Sequence, residues 1–304
     1  MHNINLIKTD IENPGTISNS EMNQIGESLQ CNGVAVIKGF IREDLCSGLL
    51  QDANECVQDD YDAGVALGAA IKMRNSEATA EFGHPFLVSK AAVDLVTNPL
   101  LLKLVETYLG DKAIIHHALF QHSVPISEPA VDWHVDTGSN KVLNGSSRFL
   151  DRRLRMIVYL TDVESGGLSY ILDSRDATTH FLSLPQGSLY PQSDIPAKLS
   201  KAITINETAG TIILFDAHGL HRPEPPKDSR LVLNVWFARA DFSASLPPTL
   251  ISVANIPLNQ VENMYIFGNE RGAKEKNKNS TGRNPASRIR GIINAARDIF
   301  GMHS

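Results

Sequence analysis

Cysteine is scarce in this chain, and what there is sits badly for chemistry. Cys31, Cys46 and Cys56 are the only three in 304 residues, all in the first fifth, with no Cys-x-x-Cys unit. That excludes a disulfide framework and a thiolate zinc site, and it fits reduced thiols in a cytoplasmic protein. Long apolar runs are missing too. Thr211-Ile-Ile-Leu-Phe215 is among the longest, far short of the roughly 20 residues a membrane span needs. The N-terminus MHNINLIKTDIENPG has no basic start followed by an apolar stretch, so no secretory signal is expected. A basic surplus is also absent. The formal net charge is −6, which argues against a nucleic-acid partner.

Hydrophobic residues make up 42% and charged residues 20%, the balance of a folded globular chain with a sizeable core. The first part reads as helical. Ser18–Gln30 places Met22, Ile25 and Leu29 at helical spacing, with Ser20 as candidate N-cap and Asn32-Gly33 as the stop. Val34–Lys38 reads as a short strand. A second helix carries Leu45, Leu49 and Leu50, and a third is expected over Val93–Leu109, ended by Gly110.

From Asp111 the pattern changes to short β-rich runs at Ala113–His122, Arg155–Leu160, Leu168–Leu172, Ala202–Asn206, Thr211–Phe215 and Leu231–Ala238. Many short strands between polar turns predict a sandwich or barrel, with the preceding helices packed on its outside. The expected division is one domain over 1–264, with a helical flank to about residue 110 and a β core over about 111–240. A polar, lysine-rich loop (Gly268–Arg283) and a basic amphipathic C-terminal helix (Pro285–Phe300) are expected to follow.

The chemistry gathers in Asp132-Trp-His-Val-Asp-Thr-Gly138. On an extended strand His134 and Asp136 project from one face. An imidazole and a carboxylate side by side supply two of the three ligands of a non-heme iron triad. The pair alone recurs by chance in many chains, so a second histidine must come from another strand. Phe215-Asp-Ala-His-Gly-Leu-His221 offers two, His218 and His221. Residues three apart cannot both face inward on a regular strand, so at most one is a ligand. Arg230 opens the next strand, where a guanidinium is suited to hold a carboxylate at two points.

With these residues in place, the chain resembles the Fe(II)/2-oxoglutarate-dependent dioxygenases, and within them the phytanoyl-CoA dioxygenase-like group. The resemblance runs over about residues 18–240. It rests on His134-Val-Asp136, on His221 lying 87 residues further on, on Arg230 nine residues after His221, and on the opening Gly33–Phe40. It departs from many relatives at Ser165–Arg175, where they carry Pro-Gly-Ser-His.

The resemblance implies a double-stranded β-helix, a jelly-roll or cupin-like core buttressed by N-terminal helices. It implies Fe(II) on His134, Asp136 and His221, which rules His218 out. It also implies 2-oxoglutarate as cosubstrate with its distal carboxylate on Arg230 and a further contact from Gln121, and O2 as oxidant. Trp133 and Thr137 would border the substrate. The loop Lys141–Arg155, where relatives cover the substrate, would use Arg152 and Arg153 to read an anionic group on a small molecule. Because Asp136 is present, hydroxylation with release of succinate and CO2 is expected rather than halogenation. Desaturation, cyclisation and epimerisation are the alternatives within that chemistry. Outside it stand a metal-retaining jelly-roll that only binds and a zinc hydrolase on the same ligands; Arg230 speaks against the hydrolase.

Overall fold

A computed structural model describes residues 8–58, 72–75, 79–136, 153–177, 191–240 and 266–267. Its strands are β1 (Lys8–Asp10), β2 (Val34–Lys38), β3 (Lys72–Asn75), β4 (Thr79–Gly83), β5 (Ala113–Ser123), β6 (Leu154–Tyr159), β7 (Leu168–Ile171), β8 (Ala202–Ile205), β9 (Ile212–Asp216), β10 (His221–Pro223) and β11 (Arg230–Arg239). They form a large sheet in the order β1-β2-β9-β6-β11-β5-β4-β3 and a small sheet in the order β10-β7-β8. Pairing is antiparallel except between β1 and β2.

The large sheet is covered on both faces, and period-two alternation sorts its side chains. Val34, Val36, Ile157, Tyr159, Ile213 and Phe215 pack between the two sheets against Leu168, Tyr170 and Ile205. Their neighbours Ala35, Ile37, Met156, Val158, Ile212 and Leu214 join the core shared with the helices. Two buried faces explain why β9 reads as an uninterrupted apolar run. This is the expected mainly-β jelly roll with flanking helices, built as a double-stranded β-helix.

The local signals are partly displaced from where the sequence put them. The first helix spans Asn19–Asn32 and is capped by Ser18, not Ser20. Ser18 Oγ accepts from Glu21 N at 3.2 Å, and the Glu21 carboxylate accepts from Ser18 N at 2.6 Å. This reciprocal capping box outcompetes the later serine, which lies in the first turn. Gly33 ends the helix with φ 80°, a left-handed turn that glycine adopts without strain. The single helix expected over Val93–Leu109 is two, Lys90–Val96 and Pro99–Leu109. Pro99 has no N–H to continue the first, and Asn98 Oδ1 caps the second by accepting from Leu100 N at 2.9 Å and Leu101 N at 3.3 Å.

Between β11 and β5 the register slips at Trp236/Phe237, where Trp236 faces His117 and Phe237 faces Ile115. His116 is thereby the extra residue of a β-bulge beside the site. Further on, Ile266 and Phe267 are buried in the helix-side core, with the Phe267 ring 5.1 Å from that of Phe86. The expected polar loop and C-terminal helix lie outside the described residues.

Candidate metal centre

The segment holding His134 is not a regular strand. It makes a single bridge to β10, with His134 N and His221 O at 3.0 Å and His221 N and His134 O at 3.0 Å. Asp136 N adds a bond to Ala217 O at 3.0 Å. Alternation survives across this short contact. Trp133 and Val135 turn into a small apolar cluster with Ile171 and Leu220, while His134 and Asp136 turn the other way.

Both imidazoles are oriented by carbonyl groups. His134 Nδ1 lies 2.8 Å from Asp132 O, and His221 Nδ1 lies 2.9 Å from Gly219 O. A carbonyl only accepts, so each Nδ1 carries the proton and each Nε2 presents a lone pair. Those Nε2 atoms sit 3.7 Å and 3.5 Å from Asp136 Oδ1. One donor atom from each of the three residues lies within 4.8 Å of the others. His221 Nε2 is buried without a hydrogen-bond partner. An orphaned lone pair facing a carboxylate oxygen and a second imidazole fits a divalent cation bound on one face, with other positions left open.

Protonation states agree with that donor set. Burial, and next the neighbouring His221, push His134 down to about 4. Burial pushes the Asp136 carboxyl up, but Arg155 and the two histidines outweigh it and hold the group well below the usual carboxylate range. The imidazole is neutral and the carboxylate ionised near neutral pH, as metal ligation requires.

The two histidines open into a cavity that Arg230 also lines. Arg230 is buried and its Nε has no hydrogen-bond partner. Burial pulls its guanidinium below the usual range, partly offset by Tyr159. The Tyr159 hydroxyl is itself engaged, donating to Ile205 O at 2.7 Å and accepting from Leu168 N at 3.0 Å. A desolvated cation in this state favours an anion placed beside it.

The other expected site residues divide. Gln121 lines the cavity. Trp133 does not; its ring packs in the apolar cluster, with the Arg222 guanidinium 4.9 Å from its centroid. Arg153 is buried away from the cavity lining, and its charge adds to burial in pushing His116 down to about 4. Thr137 and Arg152 lie outside the described residues, as does His180. His218 is buried beside Asp216, with Nδ1 3.5 Å from Asp216 Oδ1, and is not in the three-residue cluster.

Five lining residues carry polar chemistry that the motif reading did not assign: Asn234, Trp236, Tyr159, His117 and Glu81. Counting by twos from Arg230 along β11 would have found Asn234 and Trp236. Arg155, expected both to close the basic loop Lys141–Arg155 and to open the β run Arg155–Leu160, is on β6 and points at the metal cluster. Its NH1 is 3.3 Å from Asp136 Oδ2.

Residues 122–238 match the family model of the 2OG-Fe(II) oxygenase superfamily. That stretch contains the histidine pair, Asp136 and Arg230. No match to the chain is found among curated proteins. Among solved structures, the fold is similar to the epimerase SnoN in complex with Fe3+, alpha ketoglutarate and nogalamycin RO, at 15% identity and TM-score 0.57, over 77% of this chain and 93% of that one. EctD from S. alaskensis with 2-oxoglutarate and 5-hydroxyectoine is similar at 17% identity and TM-score 0.57, over 81% and 84%. The alpha ketoglutarate dependent carbocyclase SnoK from nogalamycin biosynthesis is similar at 14% identity and TM-score 0.55, over 74% and 85%. At these identities the likeness is one of fold.

Proposed function

We propose that this protein is a non-heme Fe(II)/2-oxoglutarate-dependent oxygenase that oxidises an unactivated C–H bond of a small molecule, by hydroxylation. The observation that carries the reading is that His134 and His221, whose Nε2 atoms face Asp136 with that of His221 orphaned, share one cavity with a buried Arg230 whose Nε has no hydrogen-bond partner. Fe(II), 2-oxoglutarate and O2 are the cofactor set. Together they supply an oxidant able to break such a bond, with succinate and CO2 as co-products.

The chain's own residues do the placing. His134, Asp136 and His221 would hold the ion, their tautomers set by Asp132 O and Gly219 O. Arg230 would receive the distal carboxylate of 2-oxoglutarate, and Gln121 is the polar neighbour on the facing strand. Leu119, Ile157 and Val232 line the same cavity and limit the water near the reacting bond.

Hydroxylation is preferred over halogenation because the complete carboxylate-bearing triad is present. The epimerase and carbocyclase among the fold neighbours keep epimerisation and ring closure as the second reading. The phytanoyl-CoA dioxygenase-like group is the branch proposed, on the spacing of His134, His221 and Arg230 and on the Gly33–Phe40 opening. An anionic substrate group loses much of its support among the described residues, because Arg153 is off the cavity and Arg155 is committed to Asp136. A cytoplasmic location fits the three free cysteines and the lack, among the described residues, of a helix long and apolar enough to cross a membrane.

The test is direct. Anaerobic addition of Fe(II) and 2-oxoglutarate is expected to give a weak visible charge-transfer band, and admission of air to release succinate. Absence of both from folded, metal-loaded protein would overturn the proposal in favour of a binding module.

A further inference from the structure

The two oxygens of Asp136 have different surroundings. Oδ1 faces the ligand atoms, 3.5 Å from His221 Nε2 and 3.7 Å from His134 Nε2. Oδ2 faces away from them and accepts from Arg155 NH1 at 3.3 Å and from Trp236 Nε1 at 3.1 Å. A carboxylate whose second oxygen is engaged by two donors has one oxygen left for an ion.

Arg155 is itself fixed on several sides. Its guanidinium lies 4.1 Å from the Trp236 ring centroid and 5.6 Å from that of Phe215. Its NH2 donates to Asn234 Oδ1 at 3.0 Å. Arginine has no acceptor, so the oxygen of Asn234 must face it and the Asn234 amide nitrogen must face the other way. That nitrogen donates to Gln121 Oε1 at 2.9 Å. Gln121 is thereby left with its N–H groups as the part free to serve a ligand in the cavity. One cation sets the polarity of two amides in sequence.

We infer that Arg155 is a positioning residue that, together with Trp236, holds Asp136 as a one-oxygen metal ligand and, through Asn234, sets Gln121 as a hydrogen-bond donor toward the cosubstrate. This rests on the proposed iron and 2-oxoglutarate site, but its first half requires only that the three ligands bind a divalent ion. The role differs from substrate recognition by the basic loop: the charge of Arg155 acts on the metal ligand.

The experiment is metal-minus-apo difference infrared spectroscopy of full-length protein labelled with 13C-aspartate and loaded with Zn(II), with Asp136→Asn assigning the band. Wild type is expected to show the wide separation of carboxylate stretches that marks one-oxygen ligation. Arg155→Gln is expected to narrow it toward two-oxygen ligation, and Trp236→Phe to narrow it less. Should Arg155→Gln fail to fold by circular dichroism, Arg155→Lys, which keeps charge but loses the planar fork, is read in its place. An unchanged separation in the folded variant overturns the inference.

The second half is read by anaerobic titration of 2-oxoglutarate. Arg155→Gln and Gln121→Leu should each weaken binding several-fold, and the double variant no further than the worse single one. Additive losses would overturn the link through Asn234. If wild type binds Zn(II) but never 2-oxoglutarate, the proposed function fails while the carboxylate measurement still stands or falls alone.

Discussion

Among the described residues, half-buried Asp136 and buried Asp216 each lie two residues from a histidine, and they have opposite fates. His134-Val-Asp136 and Asp216-Ala-His218 are near mirror images in sequence. At Asp216 both carboxylate oxygens are satisfied internally. Tyr108 Oη donates to Oδ2 at 2.6 Å and His218 N to Oδ1 at 2.9 Å, while Tyr170 Oη donates to the Asp216 carbonyl at 3.1 Å. At Asp136 one oxygen is bonded and the other faces the Nε2 atoms of His134 and His221, which line a cavity. Residue type and spacing are shared. What separates a brace from a metal site is whether the lone pairs converge unmet.

The largest expected effect comes from exchanging the roles of the two histidines. His221→Ala should abolish both metal binding, measured by calorimetry with Mn(II), and turnover. His218→Ala should leave metal affinity within a few-fold; the reverse result would mean that the wrong histidine has been assigned. Next is Arg230→Ala, which removes a charge-assisted contact and should weaken 2-oxoglutarate binding about 10- to 100-fold in an anaerobic titration. Metal affinity should be retained.

The brace should respond in stability instead. Asp216→Asn, with a poorer acceptor for Tyr108, is expected to cost about 1–3 kcal/mol in denaturant unfolding. A smaller, mixed effect is expected at Gly219, whose added Cβ would meet Tyr170 Oη at 1.9 Å. Because the Gly219 carbonyl orients His221, Gly219→Ala should lower both thermal stability and metal affinity, joining the two regions. A loss of stability alone would separate them.

The last effect is a pH trend in metal-free protein. His134 and His116 are both lowered from near 6.5 to about 4 by burial first, with charged neighbours adding to it. The unfolded chain therefore binds protons at these sites before the folded one does. Stability should fall as pH drops from about 6.5 toward 4 and these two contributions level off below that. Melting curves between pH 7 and pH 4 measure it, and bound metal should raise the curve by holding His134 neutral.

How much was readable in the sequence follows from the range of the forces involved. β2 falls at the residues its apolar pattern marks, and β5, β6, β7, β8, β9 and β11 lie within a residue or two of them. Alternation and turn residues act locally, so they can be read locally. The N-cap was misplaced because Ser18 and Ser20 differ only in what Glu21 can reach. β1, β3, β4 and β10 were not seen because they are short and mostly polar, with too few apolar residues to mark a strand. Arg155 was marked at the start of a β run, but nothing nearby in sequence says that this strand faces Asp136.

By itself the sequence determined the ligand types, the phase of each main strand and the presence of an arginine at the start of β11. Those are properties of residues and of short-range backbone geometry. Only the tertiary structure brought His221 against His134 and Asp136, turned Trp133 into the core, and gave Arg155 to Asp136. Each of those outcomes depends on which strand lies beside which, and long-range pairing is fixed by burial of the whole sheet rather than by any one segment.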